Sequence, residues 1–252
     1  MKMSILITCF QRSHLLRWHL RSLVRQYGIE DCEIIVLNDG IQDDTEQACA
    51  EFSDKLNIRY VFTGQRNIPT IKWRIPGFCL NIGAKLAKSD FMIISCAEMY
   101  LVEDNIIACM IDELNKNSKQ LVITEGKEDN FNKAVTYLQT HDKIYDFDIY
   151  NEMLTIRTEL PFYMAMSKNE FISIGGYDED FISNDWDDDD IVNRLLLNGC
   201  TYNKLNNKHV IHLYHAREFY SVEGHYINKK LYEDRINTII RNGEREWGVL
   251  HE

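Results

Sequence analysis

The sequence predicts an α/β protein in which helices cover both faces of a single, mostly parallel central sheet. Three observations carry that expectation. Apolar runs without alternation, such as "SILITCF" (4–10) and "EIIVLNDG" (33–40), read as strands buried on both faces. Between such runs lie stretches with apolar residues at helical spacing, the first carrying Leu15, Leu16, Leu20, Leu23 and Val24. The 252 residues contain three prolines, no internal repeat and no Pro/Gly/Ser-rich linker, so the chain reads as one domain over 1–252.

In chain order, "SILITCF" is the first strand, and residues 14–26 form the helix after it. "EIIVLNDG" is a second strand ending in a turn, and "DDTEQACAEF" (43–52) opens a helix with acidic residues in its first turn. "IRYVFTG" (58–64) is a third strand, "GFCLNIGAKLAKS" (77–89) a helix, and "FMIIS" (91–95) a fourth strand. Ligands of such sheets bind beyond the carboxyl ends of the strands, which directs attention to 8–12, 38–40 and 96–99. The second half is less regular. "QLVITEG" (120–126), "FYMAMSK" (162–168) and "HVIHLYH" (209–215) read as strands, "KNEFISIGGYDEDF" (168–181) as a short helix and turn, and 188–198 as a helix. A polar helical tail is expected over 226–242. The pattern suggests a nucleotide-binding half (1–120), an acceptor-binding half (121–217) and a C-terminal helical tail (218–252) sharing one cleft.

A formal net charge of −11 disfavours nucleic acid and anionic membrane surfaces as partners. No apolar run approaches membrane-spanning length, so any membrane contact goes through a substrate or a partner. Seven widely spaced cysteines without a Cys-x-x-Cys pair suit reduced, buried thiols, which implies a cytoplasmic protein without a zinc site.

Several short stretches can carry chemistry. Asp39 ends a buried strand on a turn, where a carboxylate either accepts from a nucleobase or ribose or closes a local turn. Glu98, just past the fourth strand, suits Mg²⁺ or Mn²⁺, or is a surface glutamate. His209, His212 and His215 are spaced by three, and residues three apart on a strand face opposite sides, so the set cannot line one site without a bend. In "DWDDDDIVNRLLLNG" (185–199), Ile191, Val192, Leu195 and Leu196 form a helical stripe, placing Asp187 to Asp190 at a helix start. The helix dipole favours acids there, and Asp190 with Arg194 is an i,i+4 pair. The dipole accounts for one or two acids, not four. A carboxylate at a helix start is also held rigidly enough for general-base work.

Taken together, "SILITCFQRSHLLRWHLRSL", "EIIVLNDG", "LNIGAKLAKSDFMIIS" and "SKNEFISIGGYDEDF" resemble the family 2 nucleotide-sugar glycosyltransferases of the Rossmann-like GT-A fold. "DWDDDDIVNRLLLNG" followed by "HLYHAR" (212–217) is similar to the C-terminal part of the β-1,4-galactosyltransferases. The resemblance spans about 3–217 and implies a UDP-sugar donor. Thr8, Phe10 and Arg12, with Asp39 on the uracil, would hold the uridine, and Arg74 or Lys72 would lie near the pyrophosphate. Where the family carries an Asp-x-Asp metal motif, this chain has Cys96-Ala97-Glu98, so Glu98 stands for the principal ligand. His215, joined by His212, matches a later metal-binding histidine. The implied ion is Mn²⁺ (or Mg²⁺).

The same resemblance gives Asp188 the place of a catalytic base, has Asp187 and Asp189 orient the acceptor, and adds Trp186 to the sugar platform. It implies inverting transfer of a hexose or N-acetylhexosamine, galactose or N-acetylgalactosamine by the acidic motif, to a glycan or lipid-linked saccharide. The altered metal motif supports one alternative, a nucleotide-sugar-binding protein that has lost catalysis. A glycoside hydrolase has no need of the strand-end nucleotide site, and a nucleotidyltransferase usually carries a Gly-rich loop that "TCFQRSH" lacks.

Overall fold

The computed structural model describes residues 1–64, 74–144, 147–182, 185–216 and 221–250. Its first part alternates: β1 (Met3–Cys9), α1 (Ser13–Val24), β2 (Cys32–Asn38), α2 (Thr45–Ala50), β3 (Ile58–Phe62), α3 (Pro76–Leu86) and β4 (Phe91–Cys96). Then follow β5 (Met99–Leu101), α4 (Ile106–Lys116), β6 (Gln120–Glu128), α5 (Lys133–Leu138), α6 (Phe147–Asn151), β7 (Leu154–Thr155) and β8 (Tyr163–Ser167). The chain continues through α7 (Lys168–Ser173), α8 (Asp187–Leu197), β9 (Thr201–His212) and α9 (Val222–Arg235).

The strands form one sheet in the order β3-β2-β1-β4-β8-β6-β9-β5, with β7 added beside β6. β1 to β4 are mutually parallel, β8 opposes β4, and β6 opposes β8, so β6 and its parallel neighbour β9 run with the first four. β1 continues into β2 on one side and neighbours β4 on the other, which places the reversal of strand order at the carboxyl ends of β1 and β4. That reversal opens a crevice in which doubly wound sheets bind ligands.

The unbroken apolar runs of β1, β2 and β4 serve two cores at once, because successive side chains point to opposite faces. Ile5 and Ile7 join Leu16, Leu20 and Met110 on the α1/α4 face, whereas Leu6 packs with Leu80, Met92, Ile191 and Leu195 on the α3/α8 face.

The expected strands and main helices are present, with differences at the ends. β9 begins at Thr201, well before the apolar "HVIHLYH", because its polar first half pairs with β6 through the backbone. α5, α6 and β7 are too short to show a period in sequence. The tail helix spans Val222–Arg235 rather than 226–242. The chain after it folds back because Arg241, only 4% exposed, is drawn to buried carboxylates.

Those carboxylates fix the start of α8. Arg194 Nε donates to Asp190 Oδ2 at 2.7 Å, and Arg241 Nη2 donates to Asp190 Oδ1 at 3.1 Å. Arg194 Nη1 also donates to the Ile174 carbonyl, which accepts from the Arg241 amide as well. All three ionic side chains are buried, so removing the shared anion would leave the Arg194 guanidinium in low dielectric without its carboxylate partner and Arg241 with Asp178 alone. Asp190→Ala is therefore expected to destabilise the protein by about 3–5 kcal/mol, read by urea denaturation.

Candidate active site

At the carboxyl ends of β1, β2 and β4 the backbone is tightly tied. The Ala97 amide donates to the Thr8 carbonyl at 2.9 Å, the Thr63 amide to Asn38 at 2.8 Å, and the Asp39 amide to Cys9 at 3.3 Å. Thr8 and Asp39 are buried at this edge. Phe10 packs over the "NDG" turn, where a Cβ on Gly40 would come within 2.9 Å of the ring, so this turn needs glycine. Arg74 Nη2 donates to the Thr63 and Gly64 carbonyls at 3.2 Å, and its guanidinium lies 4.1 Å above the Phe78 ring. Thr8, Phe10 and Asp39 are thus brought together, and Arg74 is turned to the end of β3. Lys72 lies outside the described residues.

Glu98 follows β4 and is 3% exposed. Its carbonyl accepts from the Leu213 amide at 2.7 Å, tying the turn after β4 to the end of β9. Arg12, at the start of α1, forms an ion pair with its Oε1, and His215 Nε2 lies 4.0 Å from the same oxygen. Burial opposes ionisation of Glu98, but Arg12, His212 and His215 hold its pKa below the ordinary value. β9 stops at His212, and the bend after it brings the His215 ring to 5.1 Å from that of His212. His209 is left lower on the strand, hydrogen-bonded to Glu103.

His215 Nδ1 faces the Ala216 carbonyl at 3.0 Å, and His212 Nδ1 faces Glu128 Oε1 at 3.2 Å. A carbonyl or carboxylate can only accept, so each Nδ1 carries the proton and each Nε2 is the basic nitrogen, the arrangement found in metal-binding histidines. Among the described residues no three such side chains form a complete metal cage. Glu98 and His215, 4.0 Å apart, are thus a pair of oxygen and nitrogen donors and not a three-residue metal site, with His212 behind His215. A cavity of about 360 Å³ opens beside them, lined in part by Phe10, Arg12, His14, Asn132, Tyr214 and His215.

The second part of the site is the acidic run. Asp185 and Trp186 take left-handed backbone conformations, with φ of 70° and 72°, immediately before α8. Such strain at non-glycine residues persists only where surroundings enforce it. Here the enforcing group is Asn228 of α9, fully buried, whose Nδ2 donates to the Ile182 and Asp185 carbonyls at 2.6 and 3.0 Å. Trp186 packs between α8 and α9, with its ring 5.4 Å from that of Tyr232 and its buried indole Nε1 without a partner among the described residues.

The four aspartates then diverge. Asp190 is the buried anion already described. Asp189, at the rim, lies 3.7 Å from the exposed Arg157. Asp188 Oδ1 accepts from the Tyr177 hydroxyl at 2.9 Å. Asp187 is 7% exposed beside it. Burial, reinforced by the charge of Asp188, pushes the Asp187 carboxyl well above the ordinary carboxylate range. Burial likewise raises Asp188 to about 6; the Tyr177 hydrogen bond opposes the rise, and Asp189 and Asp185 add to it.

Sequence reasoning singled out the acids and "GGYDEDF" but missed three partners. Arg12 meets Glu98 from 86 residues away, Glu128 meets His212 across neighbouring strands, and Tyr177 reaches Asp188. Only the last lay close enough in sequence to be suspected.

The raised carboxyls set a pH dependence of stability. The native state keeps protons on Asp187 and Asp188 that the unfolded chain releases near pH 4, so both contribute stability at low pH; the contribution of Asp188 is lost as pH rises through about 6, and that of Asp187 is lost in the same direction as pH rises through its own raised value. Asp187→Asn removes the penalty and should raise the melting temperature by about 2–4 °C at pH 7.5, corresponding to ~1 kcal/mol. The gain should vanish at pH 4, as scanning calorimetry at both values would show.

Comparisons with known proteins bear on the family and the fold. Residues 3–232 match the family model "Glycosyltransferase like family 2". The chain is similar to a chondroitin synthase of Escherichia coli, 25% identical over 241 residues, covering 83% of this chain and 34% of that one. It is also similar to a hyaluronan synthase of Pasteurella multocida, 34% identical over 90 residues, covering 36% of this chain and 9% of the relative. The chain thus spans about a third or less of the length of these relatives. Among solved structures, TarS of S. aureus shares the fold at TM-score 0.63 with 19% identity, covering 94% of this chain and 40% of that one. A mannosyltransferase of Pyrobaculum calidifontis in complex with GDP-Man and Mn²⁺ shares it at 0.59 with 13% identity, covering 86% and 58%. A match over 3–232 spans nearly the whole chain: the protein is a member of the family 2-like glycosyltransferases, with the GT-A fold.

Proposed function

We propose that the protein is an inverting glycosyltransferase that moves a hexose or N-acetylhexosamine from a UDP-sugar to a hydroxyl of a glycan or lipid-linked saccharide. The observation that carries this reading is Asp188. It is a half-buried carboxylate on a rigid helix start, raised to about 6 and hydrogen-bonded on one oxygen. A base with that pKa is largely ionised at neutral pH and still accepts a proton well. Asp188 takes the proton of the acceptor hydroxyl as its oxygen attacks the anomeric carbon. The bond to the diphosphate oxygen breaks on the opposite face, and the configuration inverts. One carboxylate suffices because no covalent intermediate forms.

Thr8, Phe10 and Asp39 hold the uridine at the ends of β1 and β2. Arg12 brings a cation to the diphosphate side, beside Glu98. Arg74, turned to the end of β3, borders the donor. Glu98 and His215, with His212 adjoining, are the residues that would hold Mn²⁺ (or Mg²⁺), whose charge would stabilise the departing diphosphate. Asp187 and Asp189 face the acceptor, and Trp186 borders it. A TarS structure in complex with UDP-GlcNAc and the names of the two synthases support a UDP-sugar donor and a glycan-type acceptor.

Incubation with a panel of UDP-sugars and Mn²⁺, with release of UDP as the readout, tests the reading. Asp188→Asn should lower turnover by about 10³-fold or more while leaving UDP affinity within about twofold. Full transfer by this variant would remove Asp188 as the base. For the metal, Mn²⁺ titration followed by electron paramagnetic resonance in the presence of UDP should show one bound ion. Glu98→Ala should weaken that binding by at least about tenfold. Unchanged Mn²⁺ binding in the variant would remove Glu98 as a ligand.

A further inference from the structure

The base of the proposed reaction has a partner that comes from a different part of the chain. Tyr177 closes the "GGY" turn after α7 and is 1% exposed, and its hydroxyl donates to Asp188 Oδ1 at 2.9 Å. Its backbone is held on both sides. The Tyr177 amide donates to Asn81 Oδ1 at 2.8 Å, and the Tyr177 carbonyl accepts from Asn81 Nδ2 at 2.9 Å and from Asn242 Nδ2 at 2.7 Å. Asn81 lies on α3 and is itself fully buried. The ring lies flat against the first turn of α3, where any Cβ on Gly77 would collide with it. A phenol this deeply fixed has one conformation, and its only polar atom points at the carboxylate.

We propose that Tyr177 is the positioning residue of the base: its hydroxyl occupies Asp188 Oδ1 and leaves Oδ2 to take the acceptor's proton. This rests on Asp188 being the base. The helix α3, which borders the donor side, thereby sets the orientation of a carboxylate on the acceptor side through Asn81 and Tyr177. Burial, with the charges of Asp188 and Asp187, pushes the phenol well above its ordinary pKa, so it remains a donor throughout the working pH range. A donor to an ionised carboxylate favours the charged form, so the contact offsets part of the cost of burying Asp188. The other charged or titratable groups facing Asp188 are Asp185, Asp187 and Asp189. Arg157 stands 3.7 Å from Asp189, and α9 brings His225 to 2.9 Å from Asp185. Among the described residues facing Asp188, Tyr177 is the one that donates a side-chain hydrogen bond to it.

Tyr177→Phe removes the hydroxyl and keeps the ring. Carbon-13 NMR titration of the aspartate carboxyls, with Asp188→Asn identifying the resonance, reads the effect without any substrate. The Asp188 midpoint should move up by about one pH unit in Tyr177→Phe. With whichever UDP-sugar of the panel the protein cleaves, the acid limb of the kcat profile should move up in parallel and kcat at pH 7 should fall by about tenfold. UDP affinity should stay unchanged. If Tyr177→Phe does not fold, 3-fluorotyrosine at position 177, a stronger donor of nearly the same shape, should move the midpoint down instead. A folded variant with an unmoved Asp188 midpoint and an unmoved acid limb overturns the proposal. If Asp188→Asn retains turnover, the base assignment fails instead, and the titration still reports whether Tyr177 holds Asp188.

Discussion

Asp190, buried between the guanidinium groups of Arg194 and Arg241, is the interaction on which the start of α8, the proposed acceptor side, depends. It anchors the first turn of α8 to the turn after α7 and to the chain beyond α9, through the Ile174 carbonyl that both arginines' residues share. An ion pair of this kind contributes little net stability over a packed apolar core, but breaking it is costly. Its effect here is positional. With Asp190 immobile, the three preceding carboxylates have fixed directions, and three repelling groups can be held on one helical turn. Asn228 completes the constraint from α9 by holding the strained Asp185-Trp186 turn.

The two sides of the site handle buried charge in opposite ways. Glu98 is buried yet ionised, because Arg12 and two histidines surround it. Asp187, buried, and Asp188, half-buried, lie among other acids, with the Tyr177 phenol donating to Asp188, so their protons are bound more tightly. Arg12, at the ends of β1 and β4, is the cation placed to meet a diphosphate in the proposed reaction. A proton-hungry environment at the start of α8 suits a hydroxyl about to be deprotonated. The stability lost by crowding carboxylates at α8 is the expected companion of that function.

Much of this was legible in the sequence, for identifiable reasons. β1, β2 and β4 announce themselves because strands buried on both faces must be apolar throughout, and α8 because Ile191, Val192 and Leu195 keep helical spacing above the core. Glu98, the histidines and the acidic run each have an ordinary structural reading by type and place, and it is the family resemblance that singles out Glu98, His215 and Asp188. The polar half of β9 was not legible, since its pairing with β6 is made by backbone groups. Nor were the partners that give the site its character. Arg12 with Glu98 and Asn81 with Tyr177 are contacts across 86 and 96 residues, set by the sheet order and not by any local pattern. The aspartate run shows the same division: its i,i+4 pair with Arg194 was readable, whereas the different environments of Asp187, Asp188 and Asp189 exist only once α8 is docked.

In the proposed reaction, donor and acceptor meet between the strand ends at Glu98 and the helix start at Asp188. The most direct measurement is a crystal structure of the Asp188→Asn variant soaked with a UDP-sugar and Mn²⁺. Uracil is expected at Asp39, diphosphate between Arg12 and Glu98, and the anomeric carbon with its face opposite the diphosphate toward residue 188. A donor bound with its sugar directed away from α8, or with its diphosphate remote from Glu98, would contradict this arrangement.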